Sequence, residues 1–335
     1  MKIALDAMGG DFAPEYPVEG ALKYLQHDQG GNEIILLGDE TAVKNRIDHF
    51  HSLKKIPLNR LHVVHTTDIV DMHDEPAKVI KKRPDSSMVR GLKMHKNNEA
   101  DAFVSAGSTG AQMAASLLTL GRIKGVSRPA LGSFFPSKKG PVLVIDVGAN
   151  AECKPEQLMQ FGLMGSLYYN YIMGMENPQI GLLNIGEEKT KGSELYIQAN
   201  QLMSEKLPNF CGNVEGRDVL QGKSDIIVCD GFVGNIVLKF AESILGVITH
   251  SLKQSIGKNL LSLFGAFLIK GAFKDMKKKY NYEEYGGVPL LGVNGISIIC
   301  HGSSSAVALQ NAIKVAEKMS INKVNEHIEE QLQLI

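Results

Sequence analysis

The residues of this chain that could do chemistry sit in short polar turns, each following a short apolar run. The clearest reads Ile226-Ile-Val-Cys-Asp230-Gly-Phe-Val-Gly234-Asn235. A β-branched run without alternation predicts a buried strand, Asp230-Gly231 and Gly234-Asn235 are turn signals, and apolar residues at helical spacing follow. Strand, glycine turn and helix put Asp230 and Asn235 at a strand's carboxyl end beside a helix N-terminus. Open α/β sheets bind ligands there, and helix N-termini favour anions. The same Asp would serve equally as a plain helix cap. A second turn, Ser105-Ala-Gly107-Ser108-Thr109-Gly110, follows Ala102–Val104. Small residues let backbone approach a ligand closely, and hydroxyls add donors. Its spacing is neither G-x-G-x-x-G nor G-x-x-x-x-G-K-[ST], so it predicts no NAD or ATP site.

The pattern recurs at Asp6-Ala-Met-Gly-Gly-Asp11, Asp146-Val-Gly-Ala-Asn150, Asn184-Ile-Gly186, Glu215-Gly-Arg217-Asp218 and His301-Gly-Ser-Ser-Ser305. Lys191 and Arg217 each follow a strand-end turn and suit a phosphate oxygen, though either could be an ordinary surface cation. His301 is a candidate proton donor, set against the commoner structural histidine. In a parallel sheet such ends gather along one edge, so this many turns predict one shared cleft. There is no G-x-S-x-G elbow to signal a serine nucleophile.

The elements that would hold these turns alternate strand and helix, which predicts an α/β fold on a mostly parallel sheet. The 335 residues form one domain (1–335) or two closely joined lobes. With 44% hydrophobic and 21% charged residues the chain is globular rather than disordered. Lys+Arg and Asp+Glu both total 36, which argues against a nucleic-acid partner. Cys153, Cys211, Cys229 and Cys300 lie far apart without a C-x-x-C, as expected of reduced thiols in the cytoplasm rather than a zinc site. No signal peptide is expected ahead of the first strand, and no apolar run reaches membrane-spanning length. Residues 251–282 break the rhythm. Leu260, Leu261, Leu263, Phe264, Phe267 and Leu268 make an almost wholly apolar run, with lysines before and after. It reads either as a protruding helical hairpin whose tip meets a membrane or another subunit, or as a core helix with a solvated flank.

Taken in order, these turns, with Lys191-Gly192 and Tyr285-Gly-Gly287, closely resemble those of the bacterial phosphate acyltransferases. That family moves acyl groups from acyl carrier protein to phosphate in phospholipid synthesis. Ser305 stands where the family pattern has Asp or Asn, and Thr190 lies in a variable part of its loop. The resemblance implies a three-layer α/β/α fold like that of isocitrate and isopropylmalate dehydrogenases, shared with phosphotransacetylase. It implies a homodimer with no cofactor or metal. Its partners would be acylated carrier protein and inorganic phosphate, with a peripheral membrane contact and hand-over to a membrane glycerol-3-phosphate acyltransferase. On that reading Asp230, Lys191, Arg217 and His301 are catalytic. Ser105, Gly107, Ser108, Thr109, Gly110, Asn150, Asn184, Gly234 and Asn235 bind substrate or phosphate. The rival readings are a phosphotransacetylase-like enzyme using acyl-coenzyme A and a non-catalytic membrane-docking protein.

Overall fold

The computed structural model describes residues 1–53, 58–71, 74–257, 260–271 and 286–334. Eleven strands form one sheet in the order β3-β2-β1-β4-β11-β10-β5-β6-β9-β7-β8. The first block is β1 (Lys2–Asp6), β2 (Glu33–Gly38), β3 (Leu61–His65), β4 (Ala102–Ser105) and β11 (Ser297–Ile299), all parallel. The second block is β6 (Pro141–Ile145), β7 (Ile180–Leu183), β8 (Phe210–Val214) and β9 (Ile226–Val228), also parallel. Between them lie β5 (Ala130–Pro136) and β10 (Val288–Leu291). β10 is antiparallel to β11 and to β5, and β5 is antiparallel to β6. Three reversals leave the two parallel blocks running in opposite directions.

That reversal corrects one expectation. The polar strand ends do not gather along a single edge: those of β1, β4 and β11 face one edge, and those of β6, β7, β8 and β9 face the other. The cause is the antiparallel pair β5/β10, which the reading of the turns did not include.

The strands are apolar without alternation because both faces are covered. In β1, Ile3 and Leu5 belong to one core and Ala4 to the other. The first core packs α1 (Glu15–His27), α2 (Glu40–Leu53), α6 (Pro155–Met173), α7 (Glu194–Lys206), α11 (Ala306–Ile321) and α12 (Val324–Leu332) on the sheet. Val18, Ala21, Leu22 and Leu25 form the buried stripe of α1, as their spacing predicts. The second core takes α3 (Val79–Lys82), α4 (Ser87–Lys96), α5 (Thr109–Leu120), α8 (Gly216–Gln221) and the inner side of α9 (Gly231–Ile256). The result is three layers, α/β/α.

Within 251–282 the structure describes the end of α9 and then α10 (Leu260–Leu268), while residues 258–259 and 272–285 lie outside the described residues. Phe264, Phe267 and Leu268 are 63%, 71% and 68% exposed, so this part of the run is not core. The side chains of Leu260, Leu261 and Leu263 are outside the described set. Among the described residues no helix is long and apolar enough to cross a membrane.

Candidate active site

At the second edge, Asp230 ends the β9 turn and is 8% exposed. One carboxylate oxygen accepts from Val233 N (2.9 Å) and so caps α9, which is the plain role the sequence left open. The other accepts from the Tyr196 hydroxyl (2.6 Å). Tyr196 comes from the first turn of α7 and was not singled out by sequence, since nothing in its neighbourhood marks a turn. Burial and Asp230 push its hydroxyl pKa up, so it remains a donor to the carboxylate.

The β6 turn is built around Asp146, which is fully buried. Its carboxylate accepts five hydrogen bonds: from the backbone of Leu131, Gly148, Ala149 and Asn150, and from the Asn150 amide. Burial still raises its pKa above the ordinary carboxylate value. The Asn150 amide also donates to the Pro129 carbonyl (2.7 Å), so both its protons are spent holding this loop. Gly234 has a packing reason as well. A Cβ there would come within 1.8 Å of the Asp146 carbonyl oxygen, so only glycine lets the first turn of α9 rest on the loop. Cys153 and Cys229 lie in the same region with thiols held protonated by burial, Cys153 pushed up to about 12.

Across the sheet, Asp6 plays a similar part with fewer donors. Its carboxylate accepts from Met8 N (3.0 Å) and from Ser105 Oγ (2.7 Å), and Ser105 Oγ accepts in turn from Gly107 N (2.9 Å). Burial raises the Asp6 pKa. Ser105 and Gly107 therefore shape the turn before α5. Ser108 caps α5 by accepting from Ala111 N. Thr109 and Gly110, exposed in the first turn, have backbone N–H groups with no partner inside the helix. His301 is exposed, with its Nδ1 2.7 Å from Ser303 Oγ and 3.2 Å from Ser303 N, which leaves Nε2 open towards the cavity. Ser305 accepts from Ala308 N and caps α11, so the residue that departs from the family pattern still does the capping an Asp or Asn would do.

A cavity of about 370 Å³ joins the two edges. Thr109, His301 and Ser304 reach it from the first block, Gly148 and Asn235 from the second. Leu131, Phe135 and Val288 line it from β5 and β10, and Leu238 and Ala241 from α9. The starts of α5 and α11 meet at its rim, at Thr109 and at Ser304 and Ala308, and their dipoles and first-turn N–H groups favour an anion there, while α9 contributes its second turn from Asn235. Lys239 and Glu242, paired at 3.0 Å, both line the cavity and together add no net charge. The shared cleft thus exists, formed across the antiparallel pair rather than along one edge.

Lys191, Arg217 and Asn184 do not line this cavity. They sit on the outer loops after β7 and β8. The Asn184 side chain donates to the Lys191 carbonyl (3.0 Å) and accepts from Ile185 N (2.8 Å). Lys191 is exposed, and Arg217, with a side chain 71% exposed, pairs with Glu215 at 2.8 Å. The loop after β7 leads into α7, whose Tyr196 bonds Asp230. Among the described residues no cluster of three or more His, Cys, Asp or Glu could hold a metal ion.

Fold and rim together define a three-layer α/β protein with an anion-favouring rim over an apolar cavity. The structure matches a phosphotransacetylase from Streptococcus pyogenes (TM-score 0.65, 16% identity, 96% of this chain and 94% of that one). It also matches a 4-hydroxythreonine-4-phosphate dehydrogenase from Klebsiella pneumoniae (TM-score 0.52, 12% identity, 95% and 98%). At such identities these likenesses show the fold alone. Sequence goes further. A family model described as fatty acid synthesis protein covers residues 1–327. A phosphate acyltransferase from Pelotomaculum thermopropionicum is 45% identical over all of this chain and 96% of its own length. One from Desulfitobacterium hafniense is 48% identical over 99% and 98%. The chain belongs to this family, that of the phosphate acyltransferases, and is an enzyme of that class.

Proposed function

We propose that this enzyme transfers a fatty acyl group from the thioester of acyl carrier protein to inorganic phosphate, releasing acyl phosphate for phospholipid synthesis. The observation that carries the reading is the meeting of two helix starts, those of α5 and α11, at the rim of one cavity. Phosphate is already an anionic nucleophile, so catalysis needs positioning and a place for developing charge rather than a Ser-His-Asp triad. A phosphate oxygen bonds to the carbonyl carbon, the tetrahedral oxyanion collapses, and the carbon–sulfur bond breaks. In this reading the first-turn N–H groups of α5, at Thr109 on the cavity rim and Gly110 beside it, stabilise the oxyanion. His301 Nε2–H donates a hydrogen bond to the departing sulfur, which leaves as a thiolate of pKa about 8.5 and takes its proton from water. Asp230 acts as the anchor of α9's first turn, held by Tyr196, rather than as the proton acceptor.

The test is phosphate-dependent thiol release, with acyl carrier protein and coenzyme A thioesters compared side by side. Release from the carrier-protein thioester at lower donor concentration supports the reading. Equal or better use of coenzyme A favours the phosphotransacetylase-like alternative, and no release from either removes acyl transfer to phosphate.

The exposed Phe264, Phe267 and Leu268 support a peripheral membrane contact of a cytoplasmic enzyme. There a long-chain product would pass to a membrane glycerol-3-phosphate acyltransferase. Phe232, Ile236 and Phe240, exposed along α9, support a homodimer. Liposome flotation of Phe264→Glu/Phe267→Glu checks the first. Sedimentation of the intact protein checks the second, with Ile236→Glu expected to yield monomer.

A further inference from the structure

We infer that the apolar body of the cavity, between β5/β10 and α9, holds the acyl tail, and that Ala241 and Leu238 set the chain length it accepts. The inference rests on the proposed acyl transfer and adds where the hydrocarbon goes.

The packing of α9 carries the argument. A helix laid directly on a sheet buries its inward face completely, as α5 does with Ala111 and Ala115. On α9 the inward residues Val233, Val237, Leu238 and Ala241 are only partly buried, although they face the second core. Beneath them Leu131 and Phe135 are closed off from solvent. The helix therefore stands away from the strands, and the gap is the cavity itself. Well-packed interiors leave few voids larger than a water molecule, so a gap of this size over an apolar floor is shaped for a ligand.

The lining says which kind of ligand. Thr109, Asn235, His301 and Ser304 bring donors and acceptors to the rim, and Lys239 and Glu242 on α9 pair with each other, whereas the walls from Leu131, Phe135, Val288, Leu238 and Ala241 are hydrocarbon, with Ser133 between Leu131 and Phe135. A nucleotide or a pantetheine arm would bring amides and hydroxyls into those walls without partners. An unbranched alkyl chain brings none, and its anionic head would sit where α5 and α11 start. One amphiphile thus satisfies both ends. Ala241 is a small side chain on the roof, and Leu238, one turn earlier, is a larger one. Filling the first shortens the space, and trimming the second lengthens it.

Binding of butyl, octyl and dodecyl phosphate, followed by calorimetry, tests this without relying on turnover. The wild-type protein should bind about four-fold tighter per added methylene until the cavity is full. Ala241→Phe should end that gain at a shorter chain and shift the preferred acyl donor the same way. Leu238→Ala should extend it to longer chains. The same chain-length slope in the wild type and both folded variants would overturn the assignment, as would no slope at all. If Ala241→Phe does not fold, Leu238→Ala alone decides. Absence of thiol release from every acyl donor would instead overturn the proposed reaction, and the alkyl phosphate slopes would still decide where a chain binds.

Discussion

Asp6 and Asp146 end strands on opposite edges of the sheet, and both are buried with pKa values raised by that burial. They differ in what surrounds them. Asp146 gathers five donors from one loop and from Leu131, whereas Asp6 takes backbone donors at Met8 and Gly9 and the hydroxyls of Ser87 and Ser105. The first arrangement is a loop wrapped around a carboxylate. The second ties β1 to β4 and to the start of α4, with Ser105 passing the contact on to Gly107. In both, the acidic group builds the turn, and near Asp6 the groups left to meet a ligand are those at the start of α5. An Asp at a strand end is therefore weak evidence for a catalytic acid or base until its hydrogen bonds are counted.

The sharpest way to break this comparison is to remove each carboxylate. Asp146→Ala strands several buried N–H groups at once and should cost about 3 kcal/mol or more, read from urea unfolding. Asp6→Ala should cost less, about 1–3 kcal/mol. Equal losses would mean that the two turns are held in the same way. A smaller effect is expected at the neighbouring Asp230. Tyr196→Phe removes one donor from a carboxylate that keeps its cap, and should cost about 1–2 kcal/mol with a fall in turnover as α9's first turn loosens. Unchanged stability and turnover would detach Tyr196 from the site.

His95 extends the comparison to pH. Ile296 N donates to its Nε2 (2.7 Å), Nδ1–H donates to the Ala100 carbonyl (2.9 Å), and burial lowers its pKa. The unfolded chain takes up the proton more readily, so the contribution is complete above the unfolded value of about 6.5 and is lost as pH falls towards the folded value. His95→Gln should flatten the stability profile below that point, and an identical acid limb would exclude His95. The smallest structural effect belongs to Arg217→Ala, which should leave stability within about 0.5 kcal/mol because the side chain is exposed. A large rise in the phosphate requirement of this variant would place phosphate on the outer loops after β7 and β8 instead of the rim.

Much of this was legible in the chain. Strand, glycine turn and helix leave separate marks in sequence, so the parallel units and the turn residues could be read directly. The helix-capping alternative for Asp230 was legible too. What escaped was the pair β5/β10. Gly132, Pro136 and Pro289 interrupt their apolar runs, and nothing in an apolar run states which way its neighbour points. Reading the turns alone therefore placed every strand end on one edge, and Lys191, Arg217 and His301 were grouped although the sheet separates them. Tyr196 escaped for another reason: its partner lies far along the chain, and a tyrosine in a helix's first turn looks like any other.

The wall formed by α9 has apolar residues on both sides. Val237, Leu238 and Ala241 look inward, while Phe232, Ile236, Phe240, Ile244 and Val247 lie exposed at intervals of three or four residues. A helix with its side chains is only about 10 Å thick. Hydrocarbon inside the cavity and any surface laid against the outer stripe are then separated by a single rod. Pressure on the rod from one side changes the room on the other, and the linkage runs equally in both directions. A surface that holds α9 closer to the strands would narrow the space for a tail by as much as a long tail would push that surface away.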